Sequence, residues 1–273
     1  MRWIARLALL TIAVFAGAAR AQPAPFTMVT ESMRLAGESV EVDIIAPSET
    51  SPRGAVILAH GFARTRVRHR DLGRALAAAG FIAVVPDLPE LLDPWRNADA
   101  IVALAGRLEQ GDERLPAVPR QRLVLVGTSI GGLVTVMAAA KLPGLAGWVG
   151  LDPVDRTRSA VRAASKITAP AVVLLAKPSF CNLFGSGSAI ARAAPGLLRS
   201  TVIDGASHCD FEGPTDGLCR AVCGHGSNEI RAVVRDETVK AVAEMLHAPE
   251  LRQTSLVKGV VDWSEQGAGR DIR

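Results

Sequence analysis

The sequence predicts an α/β fold in which a mostly parallel central sheet has helices on both faces. Short, continuous apolar runs of strand length recur from residue 54 onwards, which is typical of strands buried on both sides. Segments with helical periodicity separate these runs, and this alternation indicates βαβ units. The 273 residues, 49% of them hydrophobic, are enough for one large core.

The predicted elements follow these runs in chain order. Two β-like stretches, 28–35 and 40–46, come first. A helix is predicted at 71–80, where Asp71 can serve as the N-cap and Gly80 can end the helix. The other predicted strands are 54–61, 81–89, 122–127, 147–153, 171–178 and 199–205, and the other predicted helices are 95–110, 130–142 and 228–246. From about residue 250 no clear period remains, so a loosely packed tail is expected.

The first 21 residues have the features of a secretory signal peptide. Residues 1–6 are positively charged, 7–17 are apolar, and 19–21 place small residues at the −3 and −1 positions of a cleavage site. The apolar segment is shorter than the ~20 residues that a spanning helix needs, and an uncleaved N-terminal anchor is the alternative. We therefore expect an exported protein, periplasmic or secreted, with one domain at 22–273 and no stable membrane anchor.

The formal charge of +4 is concentrated in this N-terminal segment. Arg2, Arg6 and Arg20 lie in the first 21 residues, which contain no Asp or Glu, so removing these three charges leaves +1. A nearly neutral chain gives no general electrostatic reason to bind nucleic acid or an anionic membrane. The oligomeric state is left open.

The segment LVLVGTSIGG, residues 123–132, ends a predicted strand and opens a predicted helix. Its residues 127–131, GTSIG, match the G-x-S-x-G pattern of a nucleophile elbow. The glycines give the clearance that a sharp strand-to-helix turn requires, and the turn lifts the hydroxyl clear of the sheet at a helix N-terminus. We predict that Ser129 is a nucleophile, and the alternative is a helix N-cap serine.

Two backbone N–H groups are predicted to form an oxyanion hole. One belongs to Ile130, directly after the nucleophile, and the other to Phe62, after the strand that ends at His60 and Gly61. Gly61 lets the chain turn so that the Phe62 N–H points into the site. His60 precedes the nucleophile, which is the wrong order for the catalytic base, so we expect it to hold the loop through a local hydrogen bond.

The orienting acid is predicted to be Asp152, because it follows the strand GWVGLDP. A carboxylate there can orient a histidine and stabilise its charged form. Asp155 is the second choice, and Asp204 follows a later strand. The alternative for Asp152 is a turn-forming Asp-Pro.

The catalytic base is predicted to be His208, in a short loop of small residues beyond the last strand. The chain order Ser129, Asp152, His208 is the order that G-x-S-x-G hydrolases use. A neutral imidazole takes the serine proton and later passes it to the leaving group. His225 is the second choice, and a surface loop histidine is the alternative.

Four cysteines lie in the last third of the chain, namely Cys181, Cys209, Cys219 and Cys223. Export favours their pairing, and four cysteines allow three connectivities. We favour Cys181–Cys209 with Cys219–Cys223. The alternative is a metal site that also uses His208, Asp210 and His225. Because Cys-x3-Cys-x-His is not a strong zinc spacing and oxidised sulfurs do not ligate, no metal is expected.

The segments HGF, GFIAVVPDLP, GTSIGG, GLDPVD and ASHCDFE resemble the α/β-hydrolase superfamily across nearly the whole chain after residue 21. Within it they look like the chlorophyllase-like secreted esterases related to dienelactone hydrolases. In chlorophyllases the acid is the Asp of a similar DPV segment, which supports Asp152. Thr128 and Ile130 stand where that family usually has His and Arg, so chlorophyll itself is not implied. The resemblance implies the α/β-hydrolase fold and ester hydrolysis through an acyl-enzyme, without metal or organic cofactor.

The substrate is predicted only as a small-molecule ester. No long insertion separates the strands, so the lid is expected to be small or absent. The basic segment 64–70 either attracts an acidic substrate or is a solvated charged loop. Phe62, Phe180 and Phe184 are either pocket walls or core.

We predict a serine esterase. The alternatives are a lipase, thioesterase or polyester hydrolase with the same triad, or an exported non-catalytic binding protein on a hydrolase scaffold.

Overall fold

A computed structural model describes residues 26–48, 51–224 and 226–259, with the backbone alone at Leu218 and 248–259. The expected signal peptide, His225 and the last part of the expected tail lie outside the described residues. Within them, no helix has both the length and the apolar character that crossing a membrane requires.

The central sheet has eight strands in the described part of the chain, in the order β1-β2-β4-β3-β5-β6-β7-β8. They are β1 (Phe26–Leu35), β2 (Glu38–Pro47), β3 (Ala55–Ala59), β4 (Ile82–Pro86), β5 (Leu123–Thr128), β6 (Gly147–Leu151), β7 (Ala171–Leu175) and β8 (Leu197–Val202). β2 pairs antiparallel with both β1 and β4, and all other pairs are parallel. The predicted mostly parallel sheet is confirmed.

The burial of the inner strands explains why their sequences are continuously apolar. Every residue of β3, β4, β5, β6 and β7 is buried, since helices cover both faces of the sheet. The edge strands β1 and β8 are mostly exposed.

The helices divide between the two faces of the sheet. They are α1 (Arg70–Ala78), α2 (Pro94–Gln110), α3 (Ile130–Ala139), α4 (Ser159–Ala164), α5 (Gly187–Ala193), α6 (Gly217–Cys223) and α7 (Asn228–Gly259). Apolar residues of α2, α3, α4 and α5 pack on one face, and those of α1 and α7 pack on the other. The span between β6 and β7 holds only the short helix α4, in keeping with a small lid.

The start of α1 differs from the sequence prediction. The helix begins at Arg70 with His69 as its N-cap residue, and Asp71 lies inside the first turn. The predicted cap was wrong because a short 3-10 helix runs directly into α1, so the chain is already turned when the helix begins. The predicted stop is confirmed, since Gly80 follows the helix with a φ of +88°.

The parallel part of the sheet determines where a site can form. The strands β3, β5, β6 and β8 point in the same direction. Residues that follow them therefore meet at one edge, where ligands bind in open α/β sheets. The segments in question are 60–62, 129–130, 152–154 and 203–208.

Candidate active site

Ser129 occupies the turn between β5 and α3 in a strained backbone conformation. Its φ of 56° and ψ of −121° are unusual for a residue with a side chain. The Ser129 N–H donates to Leu151 O (3.0 Å), and the Ser129 carbonyl accepts from the Val154 N–H (3.2 Å). The side chain makes no helix-capping hydrogen bond. Ser129 therefore holds the N-cap position of α3 without capping the helix through its side chain, and its hydroxyl is bonded to His208 instead.

Gly127 and Gly131 allow the close passage of chain at this turn. A Cβ at position 127 would lie 2.2 Å from the Gly131 carbonyl oxygen, and one at position 131 would lie 2.2 Å from Ala59 O. Both clashes are with backbone that side-chain rotation cannot relieve. Close backbone packing thus explains why both outer positions of the G-x-S-x-G pattern are glycine in this protein.

His208 joins Ser129 to Asp152 through two hydrogen bonds. Its Nε2 lies 3.0 Å from Ser129 Oγ, and its Nδ1 lies 2.6 Å from Asp152 Oδ2. Both distances are within the hydrogen-bonding range. The structure therefore brings the three predicted residues together, although 79 positions separate the serine from the histidine.

The Asp152 carboxylate is 1% exposed and held from two sides. Its Oδ1 accepts from the Ala176 N–H (3.0 Å) and from Asn182 Nδ2 (3.3 Å), which leaves Oδ2 for His208. Such donors satisfy a buried carboxylate and fix its orientation. Sequence reasoning missed Asn182, because an asparagine 30 positions beyond the acid carries no local signal.

The two other candidate acids have different partners. Asp155 accepts backbone N–H groups around the start of α4. Asp204 is exposed and pairs with Lys177 at 3.1 Å. Neither is bonded to His208, whose ring nitrogens are already engaged.

The N–H groups of Phe62 and Ile130 have no acceptor among the residues that the structure describes. Ile130 is the first residue of α3, where a helix leaves its N–H groups unpaired. Phe62 follows Gly61, whose Cβ position would be 3.4 Å from Ser129 Cβ. Both residues line one cavity with Ser129. The two amides are therefore available to an oxygen bound beside the serine.

Two buried histidines, His60 and His69, lie in or next to the segment that carries Phe62. His60 Nδ1 is 2.9 Å from Gly61 O, and its Nε2 accepts from the Leu88 N–H (2.9 Å), so the expected local hydrogen bond is confirmed. Burial lowers the pKa of His60. Burial, together with the nearby His60, also lowers the pKa of His69 to about 3. Both rings are therefore neutral at physiological pH.

The basic segment 64–70 is built into the fold by ion pairs. Arg66 and Arg70 bind the buried Asp43 of β2 at 3.0 and 2.6 Å. Burial raises the pKa of Asp43, but the hydrogen bonds from Arg70, Thr30 and Arg66 outweigh it, so this pKa lies below its usual value. The alternative of a solvated charged loop is therefore wrong for Arg66 and Arg70, because their charges face an anion inside the protein.

The other two arginines of this segment border the site. Arg64 and Arg68 both pair with Asp216, the N-cap residue of α6. All three side chains line the cavity above Ser129. The one Asp216 carboxylate therefore offsets one of the two positive charges of this pair of arginines.

A cavity of about 570 Å³ opens above Ser129 and His208. The large apolar side chains that line it while remaining exposed are Phe62, Leu91, Leu92, Trp95 and Phe180. Of the three phenylalanines considered from the sequence, Phe62 and Phe180 are thus cavity walls. Phe184 is exposed as well, so none of the three is core.

The disulfides connect Cys181 with Cys223 and Cys209 with Cys219. The favoured pairing was wrong because Cys219 and Cys223 lie one turn apart on α6, where each meets a different loop. Cys181 lies in the 3-10 helix Phe180–Asn182, and Cys209 in the 3-10 helix that begins at His208. The two bonds therefore attach α6 to the segments that carry Asn182 and His208.

The residues of the alternative metal site that the structure describes, which exclude His225, have other partners. The sulfurs of Cys209, Cys219 and Cys223 lie within 4.8 Å of one another, but each is in a disulfide. Asp210 accepts from the backbone and side chain of Ser207. Oxidised sulfurs are not ligands, so this group does not fit a metal ion.

Glu212 is a cavity residue that sequence reasoning did not single out. Its carboxyl group is bonded to the Gly61 N–H, and it lines the cavity with Ser129 and His208. Burial raises the pKa of Glu212 to about 7, against opposing effects of the Gly61 hydrogen bond and of Arg64, His208 and Arg68. Glu212 is the last residue of the segment ASHCDFE, four residues after His208.

The sheet order and the turn at Ser129 define an α/β-hydrolase fold. The structure is similar to that of a dienelactone hydrolase from Anabaena variabilis, with a TM-score of 0.64 and 17% identity, covering 81% of this chain and 98% of that one. It is also similar to a mutant of the esterase rPPE, with a TM-score of 0.63 and 17% identity, covering 83% of this chain and 84% of that one. At this identity the likeness concerns the fold. No protein-family model and no curated protein matches the sequence.

Proposed function

We propose that this protein is a serine hydrolase that cleaves carboxylic esters through an acyl-enzyme intermediate. Ser129 is the nucleophile, His208 the general base and acid, and Asp152 the orienting acid. The observation that carries the proposal is the chain of hydrogen bonds from Ser129 Oγ through His208 to Asp152 below an open cavity. That constellation is recognised by geometry and roles on many folds.

In this mechanism Ser129 Oγ attacks the ester carbonyl carbon while its proton passes to His208 Nε2. The carbonyl electron pair moves to the oxygen, and the N–H groups of Phe62 and Ile130 stabilise that charge. Collapse of the intermediate expels the alcohol, which takes the proton from Nε2 and leaves Ser129 acylated. Water then attacks the acyl carbon while His208 Nε2 takes its proton, and that proton passes to Ser129 Oγ as the bond to the acyl group breaks and the acid leaves.

Asp152 makes this proton transfer feasible. Its Oδ2, 2.6 Å from His208 Nδ1, accepts a hydrogen bond from the N–H at that position and does not take the proton. The tautomer with its proton on Nδ1 leaves the Nε2 lone pair for the serine proton. The carboxylate then stabilises the imidazolium that forms.

The cavity favours an ester with a large apolar group. Its exposed rim of aromatic and leucine side chains offers apolar contact area, and the volume of about 570 Å³ suits a ligand of drug-like size. A lipase, thioesterase or polyester hydrolase would use the same residues. A series of p-nitrophenyl esters of increasing acyl length, with emulsified triglyceride and a thioester, separates these substrate classes.

The proposed nucleophile is tested by labelling with an organophosphate and mapping the adduct by mass spectrometry. We expect one adduct per chain, on Ser129, and loss of ester hydrolysis in Ser129→Ala. Ser200→Ala, which changes an exposed serine on the edge strand β8, is the matched control and keeps both labelling and activity. An unlabelled protein without esterase activity would favour the non-catalytic binding protein.

We also propose that the protein is exported and matures at about Gln22. Two disulfides support an oxidising compartment, and the N-terminal residues fit a signal peptide. Mass spectrometry of the periplasmic and secreted fractions should find an N-terminus near Gln22. A membrane-bound form that retains residues 1–21 would instead indicate the uncleaved anchor.

A further inference from the structure

Glu212 brings a carboxyl group to the loop that carries one of the two oxyanion N–H groups. Its Oε1 accepts the Gly61 N–H at 2.5 Å, and its side chain is 12% exposed. The Cβ position of Gly61 would lie 3.3 Å from this oxygen and 3.4 Å from Ser129 Cβ. The carboxyl group is therefore close to the proposed nucleophile, yet no step of the mechanism above uses it.

The oxyanion loop, residues 60–62, is held on both sides of Gly61. His60 Nδ1 bonds to Gly61 O, and Glu212 accepts from Gly61 N. Because a trans peptide is planar, the Gly61 carbonyl and the Phe62 N–H point in opposite directions. The Gly61 carbonyl also accepts from the Arg64 N–H (3.3 Å), whereas Glu212 is the acceptor for the Gly61 N–H. Glycine has wide backbone freedom, so the Glu212 contact restricts the peptide group before Gly61, and the other two contacts restrict the peptide group after it.

We propose that Glu212 is a positioning residue that holds the Gly61 amide and thereby keeps the Phe62 N–H directed at the oxyanion. This inference rests on the proposed function, because it assigns Glu212 a role in the same hydrolytic step. Glu212 acts through the loop and does not contact the substrate oxygen.

The strength of the hydrogen bond between the Gly61 N–H and Glu212 depends on the charge of Glu212. A hydrogen bond to an ionised carboxylate is roughly twice as strong as one to a neutral acceptor. The charged and titratable groups facing the carboxyl group are Arg64, Arg68, His69 and His208. Arg64 and Arg68 are shared with Asp216, and His69 is neutral. Because burial raises the pKa of Glu212 to about 7, the strong form of the bond is lost as the pH falls below neutrality.

The kinetic test compares Glu212→Gln and Glu212→Ala with the wild type over the acid side of the pH profile. In the wild type, kcat/KM should fall as the pH drops below neutrality with a contribution from Glu212, because its protonation weakens the hydrogen bond to Gly61. Glu212→Gln keeps an acceptor for Gly61 but does not ionise, so its acid limb should be less steep than that of the wild type. Glu212→Ala should lose about 10-fold in kcat with little change in KM.

Asp216→Asn is the matched control, since it removes one negative charge from the same cavity without touching Gly61. This variant should keep the steepness of the acid limb but move it to lower pH, because Arg64 and Arg68 lose their shared partner and act on Glu212 alone. If Asp216→Asn and Glu212→Gln reduce the steepness of the acid limb equally, the effect comes from the loss of a negative charge in the cavity, and the positioning role is wrong. The role is also wrong if Glu212→Ala matches the wild type in kcat and in pH profile.

A second measurement does not need catalysis. The amide signal of Gly61 in 15N–1H NMR spectra should titrate with pH in the wild type and in Asp216→Asn, and this titration should vanish in Glu212→Gln. Absence of ester hydrolysis by the wild type would overturn the proposed function. A Gly61 amide that ignores the Glu212 substitution would overturn the present inference, whatever the activity.

Discussion

The Asp152 carboxylate is fixed by hydrogen-bond donors from two other segments. An uncharged side chain of the same shape can keep these hydrogen bonds. The Ala176 N–H and Asn182 Nδ2 both bind Oδ1, whereas Oδ2 faces His208 Nδ1. An amide at this position can present its NH2 group to the imidazole and favour the wrong tautomer. The consequence is a catalytic defect without an equal loss of stability.

We predict that Asp152→Asn lowers kcat by at least about 100-fold for an ester substrate. Asp204→Asn is the control, because this exposed acid also follows a strand but pairs with Lys177; it should leave kcat unchanged. Steady-state kinetics and thermal unfolding of both variants separate catalysis from folding. Full activity in Asp152→Asn would show that another group orients His208.

Among the elements, α6 is a seven-residue helix that depends on two covalent links. Cys209–Cys219 joins it to the turn of His208, and Cys181–Cys223 joins it to the turn of Asn182. Both turns contribute side chains to the chain of hydrogen bonds at Asp152. Loss of either bond should therefore affect the site as well as the stability of the fold.

We predict that Cys181→Ser/Cys223→Ser destabilises the protein more than Cys209→Ser/Cys219→Ser. The two bonds span 42 and 10 positions, for which loop-closure entropy gives about 4 and about 3 kcal/mol. Thermal unfolding of the two double variants and of the reduced wild type measures this order. Four titratable thiols in the native oxidised protein would contradict the disulfides themselves.

At the scale of the whole molecule, a group of exposed apolar side chains lies at the edge of the sheet where Ser129 is found. Phe62, Leu91, Leu92, Trp95 and Phe180 all line one cavity. Exposed apolar groups of this kind, gathered at one place, usually mark a binding surface. The proposed site is therefore bordered by exposed apolar side chains.

We predict that Leu92→Ser raises KM for long-chain p-nitrophenyl esters by about 5-fold or more and leaves short-chain esters nearly unchanged, since one buried leucine contributes roughly 1.5–3 kcal/mol. Leu198→Ser on β8 is the matched control. Both leucines are exposed, at 80% and 57%, but Leu198 lies outside the cavity. Equal effects of the two variants would show that the rim does not bind the acyl chain.

Local patterns account for most of the fold and for the three residues of the hydrogen-bonded chain. Continuous apolar runs mark β3 to β7 because each is buried on both faces. Ser129 is marked by the glycines that its turn requires, and Asp152 and His208 by their place after a strand. These signals are local, so the sequence displays them directly.

Only the tertiary structure decided the contacts between distant segments. These contacts are the disulfide pairing, the ion pairs of Arg66 and Arg70 with Asp43, and the hydrogen bonds of Asn182 to Asp152 and of Gly61 to Glu212. Each joins residues that are far apart in the chain or on different elements. Their partners are chosen by how helices and loops pack, and packing leaves no periodic or adjacent pattern in the sequence. The sequence by itself determined the sheet, the turn at Ser129 and the chain order of the predicted site.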